Sequence, residues 1–176
     1  MWDGVKIPDL ADRAFLVTGA STGIGAAVAK AFAAQGARVA VHYNENRQAA
    51  EEVHHSIRQR GGEAVLVQAD VSQPGESERA VEFAAAELGG LDGLVNNAGG
   101  MLGRLPTLDM DDAHFARVMD LNARSVLAAT RAAVPFLKLR GGFVINTTSI
   151  AARNGGGNGA VLYAAAKGFV STITRG

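Results

Sequence analysis

Five short apolar runs alternate along this chain with segments of helical pattern, and this alternation limits the folds open to it. The runs cover residues 14–17, 39–41, 64–67, 91–95 and 143–145. Apart from Asp92 and Gly93 in the fourth run, the runs are continuously apolar rather than alternating, which is typical of strands buried on both faces of a parallel sheet. We therefore predict an α/β fold, a doubly wound parallel sheet with helices on both faces.

The segments between the runs place apolar residues on one helical face. One stripe is Ile24, Val28 and Phe32, and another is Val81, Ala84, Ala85 and Leu88. Such stripes predict amphipathic helices that pack on the sheet. Glycines follow most of these segments and can close a helix in the left-handed conformation, at Gly36, Gly61, Gly89 and Gly141.

Composition narrows the classes of function. The 176 residues suffice for one domain, predicted over 1–176, and the 17 basic residues balance the 17 acidic ones. This balance gives no electrostatic footprint for nucleic acid or an anionic membrane. The absence of cysteine excludes disulfides and thiolate metal sites. The polar start has no signal-peptide pattern, so we expect a cytoplasmic protein. We expect no metal site, because the four histidines show no metal-ligand spacing.

The segment FLVTGASTGIG joins the first predicted strand directly to the first predicted helix. In its T-G-x-x-x-G-x-G pattern, Gly19 allows a sharp turn and Gly23 lets backbone N–H groups approach a pyrophosphate. Gly25 lets the helix lie close to the strand. A plain tight turn is the alternative interpretation, but the flanking strand and helix favour a nucleotide-binding turn.

Tyr163 and Lys167 stand four residues apart and so share one face of a helix. A nearby ammonium favours the ionised form of a phenol, which suits acid–base chemistry near neutral pH. Ser149 follows the fifth predicted strand, where its hydroxyl can hydrogen-bond a substrate carbonyl. Thr147 and Thr148 are alternatives for that role, and a surface pair is the alternative for Tyr163 and Lys167.

These motifs together resemble the short-chain dehydrogenase/reductase family. The long glycine turn, Asp70-Val71 after the third strand, the Asn-Asn-Ala-Gly segment at 96–99, Ser149 and the Tyr163-x-x-x-Lys167 pair occur in the order of that family. The branch resembled is that of the β-ketoacyl-[acyl carrier protein] reductases. The resemblance implies a Rossmann-like fold and hydride transfer between NADP(H) or NAD(H) and a small carbonyl or alcohol substrate.

The resemblance also implies roles for individual residues. Tyr163 is the expected acid/base, Lys167 assists it and binds the nicotinamide ribose, and Ser149 orients the carbonyl. Asn122 lies on an apolar helical stripe and is expected to hold a water in the proton path, although a structural role is the alternative. The expected cofactor-binding residues are Gly19, Ser21, Thr22, Gly23, Ile24, Gly25, Asn44, Asp70, Val71, Asn97, Ala98, Gly99, Tyr163 and Lys167.

The end of the second predicted strand bears on the choice of cofactor. NAD-preferring members usually carry an acidic residue there to bond the ribose hydroxyls. This chain has His42, Tyr43 and Asn44, with no carboxylate before Glu45, which favours NADP(H) over NAD(H). Thr22 counts against that preference, because many NADP-specific relatives have arginine at its position.

The family pattern continues past the last residue of this chain. We expect the chain to be truncated at its C-terminus, with strands 6 and 7 missing and the fifth strand an exposed edge. Homodimers or homotetramers are implied by the resemblance. Two other functions stay open: a dinucleotide-binding module without turnover, and a methyltransferase, which has no need of the Tyr-x-x-x-Lys pair.

Overall fold

A computed structural model describes residues 6–176, and its centre is a five-stranded parallel sheet in the order β3-β2-β1-β4-β5. The strands are β1 (Ala14–Val17), β2 (Arg38–Tyr43), β3 (Glu63–Gln68), β4 (Gly93–Asn96) and β5 (Phe143–Asn146). The helices are α1 (Gly23–Ala34), α2 (Arg47–Gln59), α3 (Glu76–Glu87), α4 (Asp112–Met119), α5 (Ser125–Arg140), α6 (Ala151–Asn154) and α7 (Val161–Ile173). The doubly wound α/β prediction is confirmed.

Each predicted apolar run coincides with a strand, but the runs are not equally buried. All four residues of β1 and all four of β4 are buried. In β5, Phe143 and Ile145 are 40% and 45% exposed. The burial on both faces that its apolar run indicates is therefore wrong for this strand, whereas the expectation that it is an exposed edge is confirmed for the described sheet. The cause is position: β5 pairs with β4 on one side only and lies at the edge of the described sheet.

The two faces of the sheet carry separate apolar cores. On one face α3 and α5 pack against β1, β3 and β4 around Leu16, Leu88 and Leu94. On the other face α1 and α2 pack against β1 and β2, and the ring of Phe15 stacks on that of Phe32 with a centroid separation of 4.3 Å. The α3 stripe of Val81, Ala84, Ala85 and Leu88 is buried, as predicted.

In the predicted stripe of α1, Val28 and Phe32 pack against the core as expected, but the prediction was wrong for Ile24. Ile24 is 66% exposed, whereas Gly25, Ala29 and Ala33 are buried against the sheet. These three side chains are small, so α1 approaches β1 more closely than a row of large apolar residues permits. Ile24 is thereby left at the carboxyl edge of the sheet.

The helical pattern around Asn122 is interrupted. A π-helical turn, Asp120–Arg124, joins the end of α4 to the start of α5. Turns of this kind are frequent at functional sites, because the extra residue redirects the side chains around it. Asn122 lies inside the turn and is fully buried.

A charged cluster joins the elements at the amino end of the sheet. The buried carboxylate of Asp92 accepts hydrogen bonds from the backbone N–H of Ala14 at 2.8 Å, from Arg13 at 2.9 Å and from Arg140 at 3.2 Å. Burial alone would raise the pKa of Asp92, but the Ala14 N–H and the two guanidinium groups outweigh it, and the pKa is lowered. The cluster ties β1 and the end of α5 to the residue that precedes β4.

Candidate active site

A cavity of about 720 Å³ opens at the carboxyl ends of the strands, the edge at which open α/β sheets bind ligands. It runs from the end of β2 across β1 and β4 to the loop after β5. The predicted residues that line it are Gly19, Ser21, Thr22, Ile24, Asn44, Asp70, Val71, Asn97, Ala98, Gly99, Ser149, Tyr163 and Lys167. Gly23, Gly25 and Asn122 were also predicted and do not line it.

The glycine turn forms the floor of this cavity under conformational constraint. Gly19 has φ +62°, and Gly23, with φ +57°, begins α1. A Cβ atom at Gly25 would lie 2.3 Å from the carbonyl oxygen of Gly19, closer than any side chain allows. Gly25 therefore explains the close approach of α1 to the turn. The turn directs the N-terminus of α1 towards the cavity, and such an end suits an anionic ligand such as a pyrophosphate.

The Asn-Asn-Ala-Gly segment after β4 braces the same turn. The side-chain amide of Asn97 donates to the carbonyl oxygens of Thr18 and Gly19, at 3.0 and 3.1 Å. The hydroxyl of Thr18 accepts from the backbone N–H groups of Asn97 and Ala98, at 2.9 and 3.0 Å. The Asn97 side chain is thus engaged with the protein, and the segment fixes the loop after β4 against the loop after β1.

Asp70 lines the cavity from the loop after β3. Its carboxylate accepts from the hydroxyl of Ser72 at 2.6 Å and from the backbone N–H of Ser72 at 3.0 Å. The Ser72 hydroxyl and, against the opposing effect of burial, the Ser72 N–H lower the pKa of Asp70. The carboxylate is ionised at neutral pH and holds the loop after β3 in an Asx-type turn.

Tyr163 and Lys167 lie on the cavity side of α7, one helical turn apart. The Lys167 ammonium lies 5.8 Å from the centroid of the Tyr163 ring, and both side chains line the cavity. Lys167 is 3% exposed and donates from Nζ to the carbonyl oxygen of Thr147 at 2.9 Å. Burial lowers the pKa of Lys167 from its ordinary value. The cation is therefore held in a fixed place beside the phenol.

Ser149 follows β5 on the same side of the cavity. Its hydroxyl oxygen accepts from the backbone N–H of Ala151 at 3.1 Å, which leaves the hydroxyl proton available for a ligand oxygen. Thr148, the alternative, donates to the backbone oxygen of Lys167 at 2.9 Å and contacts the hydroxyl of Ser171 at 2.8 Å. These contacts favour Ser149 over Thr148 as the group that faces a substrate.

Asn122 meets Lys167 through Gly99. A Cβ atom at Gly99 would lie 2.8 Å from Oδ1 of Asn122 and 3.2 Å from Nζ of Lys167, so the three residues are in close contact. The Asn122 amide accepts from the N–H of Gly100 and donates to the carbonyl oxygens of Gly100 and Val118. The side chain thus ties the π-helical turn to the loop after β4, and the water-holding role stays a prediction.

Several residues that line the cavity were not among the predicted site residues, and among them His42 and Glu45 carry ionisable groups next to the end of β2. His42 and Glu45 both line it, yet the first was assigned no role and the second was noted only as a carboxylate past the end of the strand. The sequence signal that could have indicated the burial of His42 is its place directly after the apolar run 39–41, in the same strand. Arg47, at the start of α2, is paired with Glu51 at 2.8 Å and does not line the cavity.

Residues 6–176 contain neither a metal-binding cluster nor a membrane-spanning helix. No group of three or more histidine, aspartate or glutamate side chains is arranged to hold a metal ion in this part of the chain. No helix among the same residues has the length and apolar character needed to cross a membrane.

The family model for short chain dehydrogenases matches residues 13–176. An uncharacterised oxidoreductase of Methylorubrum extorquens is 43% identical over 141 residues, which are 80% of this chain and 56% of that protein. A 3-oxoacyl-[acyl-carrier-protein] reductase of Synechocystis is 39% identical over 165 residues, which are 91% of this chain and 66% of that protein. This chain thus spans between half and two thirds of the length of these relatives.

Two solved structures combine a similar fold with a bound dinucleotide. The NADH-dependent reductase A1-R′ in complex with NAD is 40% identical, with a TM-score of 0.90 over 96% of this chain and 72% of that one. A short chain dehydrogenase from Burkholderia cenocepacia in complex with NADP is 37% identical, with a TM-score of 0.89 over 94% of this chain and 67% of that one.

Proposed function

This chain belongs to the short-chain dehydrogenase family, and from that premise we propose that its protein is an oxidoreductase that transfers a hydride between a nicotinamide dinucleotide and a small carbonyl or alcohol substrate. One observation carries the proposal. A single cavity is lined at one end by the glycine turn and at the other by Ser149, Tyr163 and Lys167. A dinucleotide laid along it has its pyrophosphate at the turn and its nicotinamide at the acid–base group.

The residues present fit such a cofactor. The close approach of Gly25 to Gly19 leaves no room for a Cβ atom. The turn so formed brings backbone N–H groups and the positive end of α1 to the cavity, as a pyrophosphate requires. The nicotinamide ring, when bound, supplies or accepts the hydride.

Tyr163 is the proposed acid/base in this reaction. In reduction, its phenol gives a proton to the carbonyl oxygen as that oxygen gains charge, and in oxidation the phenolate takes the proton from the alcohol. The buried Lys167 ammonium lies beside it and stabilises the negative charge on the phenolate oxygen. Ser149 donates its hydroxyl proton to the same substrate oxygen and so orients the carbonyl.

Asn122 is the proposed last member of the proton path. Because its side-chain amide is held by Gly100 and Val118, its contribution is to fix the π-helical turn next to Lys167. A water held at that turn would pass protons between Lys167 and solvent.

The cofactor preference proposed from the sequence is NADP(H) over NAD(H). In its support, β2 itself ends in Tyr43 and carries no carboxylate. Two observations favour NAD(H) instead. The carboxylate of Glu45 lines the cavity, where it would repel the 2′-phosphate of NADP(H). Arg47, the basic residue that could bind that phosphate, is paired with Glu51. The similar structures hold either cofactor, so a parallel titration with NADH and NADPH decides the preference.

The wider setting of the protein is also proposed. A cytoplasmic location, a homodimeric or homotetrameric assembly, and partners limited to small molecules stay predictions from the sequence. The rival function is a dinucleotide-binding module without turnover. One observation favours it. The glycine turn, where the dinucleotide would bind, is held by hydrogen bonds, whereas β5, which leads to Ser149 on the substrate side, is partly exposed.

The test is turnover of a ketone and alcohol panel with NADH and NADPH, in the wild type and in Tyr163→Phe. We expect the variant to lose roughly 10²- to 10⁴-fold in kcat, while its dinucleotide affinity falls by no more than about tenfold, the effect of one lost hydrogen bond to the ribose. The only other tyrosine, Tyr43, also lines the cavity, so Tyr43→Phe is the matched control and should keep its kcat at saturating cofactor.

Three outcomes contradict the proposal. Near-full turnover by Tyr163→Phe removes the acid/base role of that residue. Tight NADPH binding by the wild type with no turnover of any panel member establishes the binding module. Binding of S-adenosylmethionine without dinucleotide binding establishes the methyltransferase.

A further inference from the structure

His42 is a buried ionisable residue that the proposed mechanism does not use. It lies near the end of β2, is 2% exposed and reaches the wall of the dinucleotide cavity. A histidine at such a place is either a filler of the core or a group with defined partners. The contacts of its ring decide between these two descriptions.

Both ring nitrogens of His42 have backbone partners in the loops that follow the neighbouring strands β1 and β3. Nδ1 accepts from the N–H of Gly19 at 2.9 Å, and Nε2 lies 3.0 Å from the carbonyl oxygen of Ala69. An N–H donor requires a lone pair on Nδ1, and a carbonyl acceptor requires a proton on Nε2. The partners therefore fix one neutral tautomer, with the proton on Nε2.

The ring connects two loops that border the cavity. Gly19 is the first glycine of the turn after β1, and Ala69 immediately precedes Asp70 in the loop after β3. The backbone oxygen of His42 also accepts from the N–H of Ala20 at 2.7 Å. One residue thus holds the end of β2 to the glycine turn twice and to the Asp70 loop once.

Side chains hold both backbone polar groups of Gly19, its N–H and its carbonyl oxygen. His42 accepts from its N–H, and Asn97 donates to its carbonyl oxygen at 3.1 Å. With φ +62° the residue has a conformation that a free chain visits only part of the time. The two side chains together select this conformation and so fix the direction of the N–H groups that follow it.

The ring is a neutral brace. Burial lowers the pKa of His42 to about 4, although the hydrogen bond to Ala69 opposes this. Among the charged groups nearby, Arg79 lowers the pKa further, whereas Asp70 and Glu76 raise it. His42 is therefore uncharged at neutral pH, and it holds the glycine turn without adding a positive charge to the cavity wall.

We propose that His42 is a positioning residue for dinucleotide binding, which holds the glycine turn in its binding conformation through the Nδ1 contact with Gly19. The proposal rests on the dinucleotide-binding function above. It assigns the binding effect to one of the two ring contacts, because the Gly19 N–H belongs to the turn that cradles the pyrophosphate. The Ala69 contact orients the ring and fixes its tautomer.

Two amide substitutions separate the two contacts. His42→Asn places an amide oxygen near the position of Nδ1 and keeps an acceptor for Gly19, whereas His42→Gln places an amide nitrogen near Nε2 and keeps a donor for Ala69. We expect His42→Gln to raise the dinucleotide Kd and KM about tenfold, the effect of one lost hydrogen bond in the turn. His42→Asn should stay within about threefold of the wild type, and kcat at saturating cofactor should change in neither variant.

A second measurement keeps the proposal falsifiable if either variant folds poorly. In the wild type, a long-range ¹H–¹⁵N spectrum of the imidazole at pH 7 should show the proton on Nε2, and the Gly19 amide should be protected from exchange. A proton on Nδ1, or an unprotected Gly19 amide, overturns the proposal. Equal Kd values for the two folded variants overturn it as well.

The failure of the proposed function gives a different result. A wild-type chain that binds neither NADH nor NADPH overturns the dinucleotide function, and the positioning role with it. A wild type that binds a dinucleotide, together with variants that bind it equally well, overturns the positioning role alone.

Discussion

Asp92 and His42 are buried ionisable side chains at opposite ends of the sheet, and their charge states differ. At the amino end, Asp92 is ionised and paired with Arg13 and Arg140. At the carboxyl end, His42 is neutral and paired with the backbone of Gly19 and Ala69. Both residues link neighbouring strands, yet only the second lies in the wall of the cavity.

This difference separates stability from binding. A paired carboxylate with two partly exposed guanidinium groups ties elements together but offers nothing to a ligand at the far end of the sheet. A neutral ring shapes the glycine turn and leaves its backbone N–H groups as the positive features that meet a pyrophosphate. We therefore expect changes at the amino end to alter unfolding alone and changes at the carboxyl end to alter dinucleotide affinity.

The largest effect is expected from Gly25→Ala at the carboxyl end. The added Cβ atom would lie 2.3 Å from the Gly19 carbonyl oxygen, so the turn must move. A displacement that costs about 3 kcal/mol weakens dinucleotide binding roughly 100-fold, which a fluorescence titration with NADPH and NADH measures. Gly168→Ala, in α7 with no heavy atom within 4 Å of the added Cβ, is the matched control. Unchanged affinity in Gly25→Ala would contradict the expectation that the carboxyl end of the sheet determines dinucleotide binding.

The next effect is expected from Asp92→Asn at the amino end. The neutral amide keeps the shape but loses the charge that holds Arg13, Arg140 and the Ala14 N–H. Because the guanidinium groups are about two-fifths exposed, we expect a loss of about 2 kcal/mol in the free energy of unfolding. Thermal unfolding should show a midpoint about 4–8 °C lower, and the dinucleotide Kd should not change.

The matched control for this change is Glu82→Gln, a neutralised carboxylate on the exposed face of α3. The lowered pKa of Asp92 means that its contribution is present above the ordinary aspartate pKa and is lost as the pH falls through the folded value. The stability difference between Asp92→Asn and the wild type should therefore shrink below about pH 4. A constant difference down to pH 2, or a changed Kd, would contradict this description of the amino end.

The pH dependence of unfolding tests the neutral state of His42. Its pKa is about 4 in the folded chain and 6.5 when unperturbed, so the unfolded chain takes up the proton first as the pH falls. Protonation then favours unfolding, and this residue alone should lower the unfolding free energy by about 2 kcal/mol between pH 7 and pH 5. Chemical denaturation across this range should show a shallower decline in His42→Asn, which has no group to titrate there. Parallel declines would mean that the pKa of His42 is the same in the folded and the unfolded chain, so that burial does not keep the ring neutral.

The smallest effect is expected at the mouth of the cavity. Glu45→Gln removes an exposed carboxylate from the region where a 2′-phosphate would lie. We expect the affinity for NADPH to rise about threefold relative to NADH, and the gain to disappear at high salt. Glu52→Gln, on α2 and outside the cavity lining, is the control. An unchanged ratio would show that Glu45 has no part in the choice of cofactor.

The sequence predicted the fold more completely than the site. Continuous apolar runs located all five strands, because a parallel sheet needs nearly every strand residue to be apolar. Such runs do not show which strands pair with each other. The exposure of β5 follows from its position at the edge of the sheet and not from its apolar run. The α1 stripe was misread at Ile24 because a run of alanines and glycines looks featureless, although small residues are what a close helix–sheet contact requires.

Short-range motifs located most of the cavity. Gly19, Ser149, Tyr163 and Lys167 were found because spacing alone places them at strand ends or on one helix face. The brace of His42 joins residues 23 and 27 positions away along the chain, and no local pattern announces such contacts. The engagement of Asn97 with the backbone was hidden for the same reason, whereas the structural alternative for Asn122 was open from the sequence and its backbone contacts agree with it. A buried polar side chain in a central strand is the one sequence signal that pointed to His42.

The central claim is that one cavity holds a dinucleotide between the glycine turn and the Tyr163–Lys167 pair. A crystal structure of the chain grown with saturating NADP⁺ or NAD⁺ tests it most directly. We predict the pyrophosphate against the N-terminus of α1 and the nicotinamide ribose within hydrogen-bond distance of Tyr163 and Lys167. A dinucleotide with its adenine at Tyr163, or bound outside this cavity, would contradict the account.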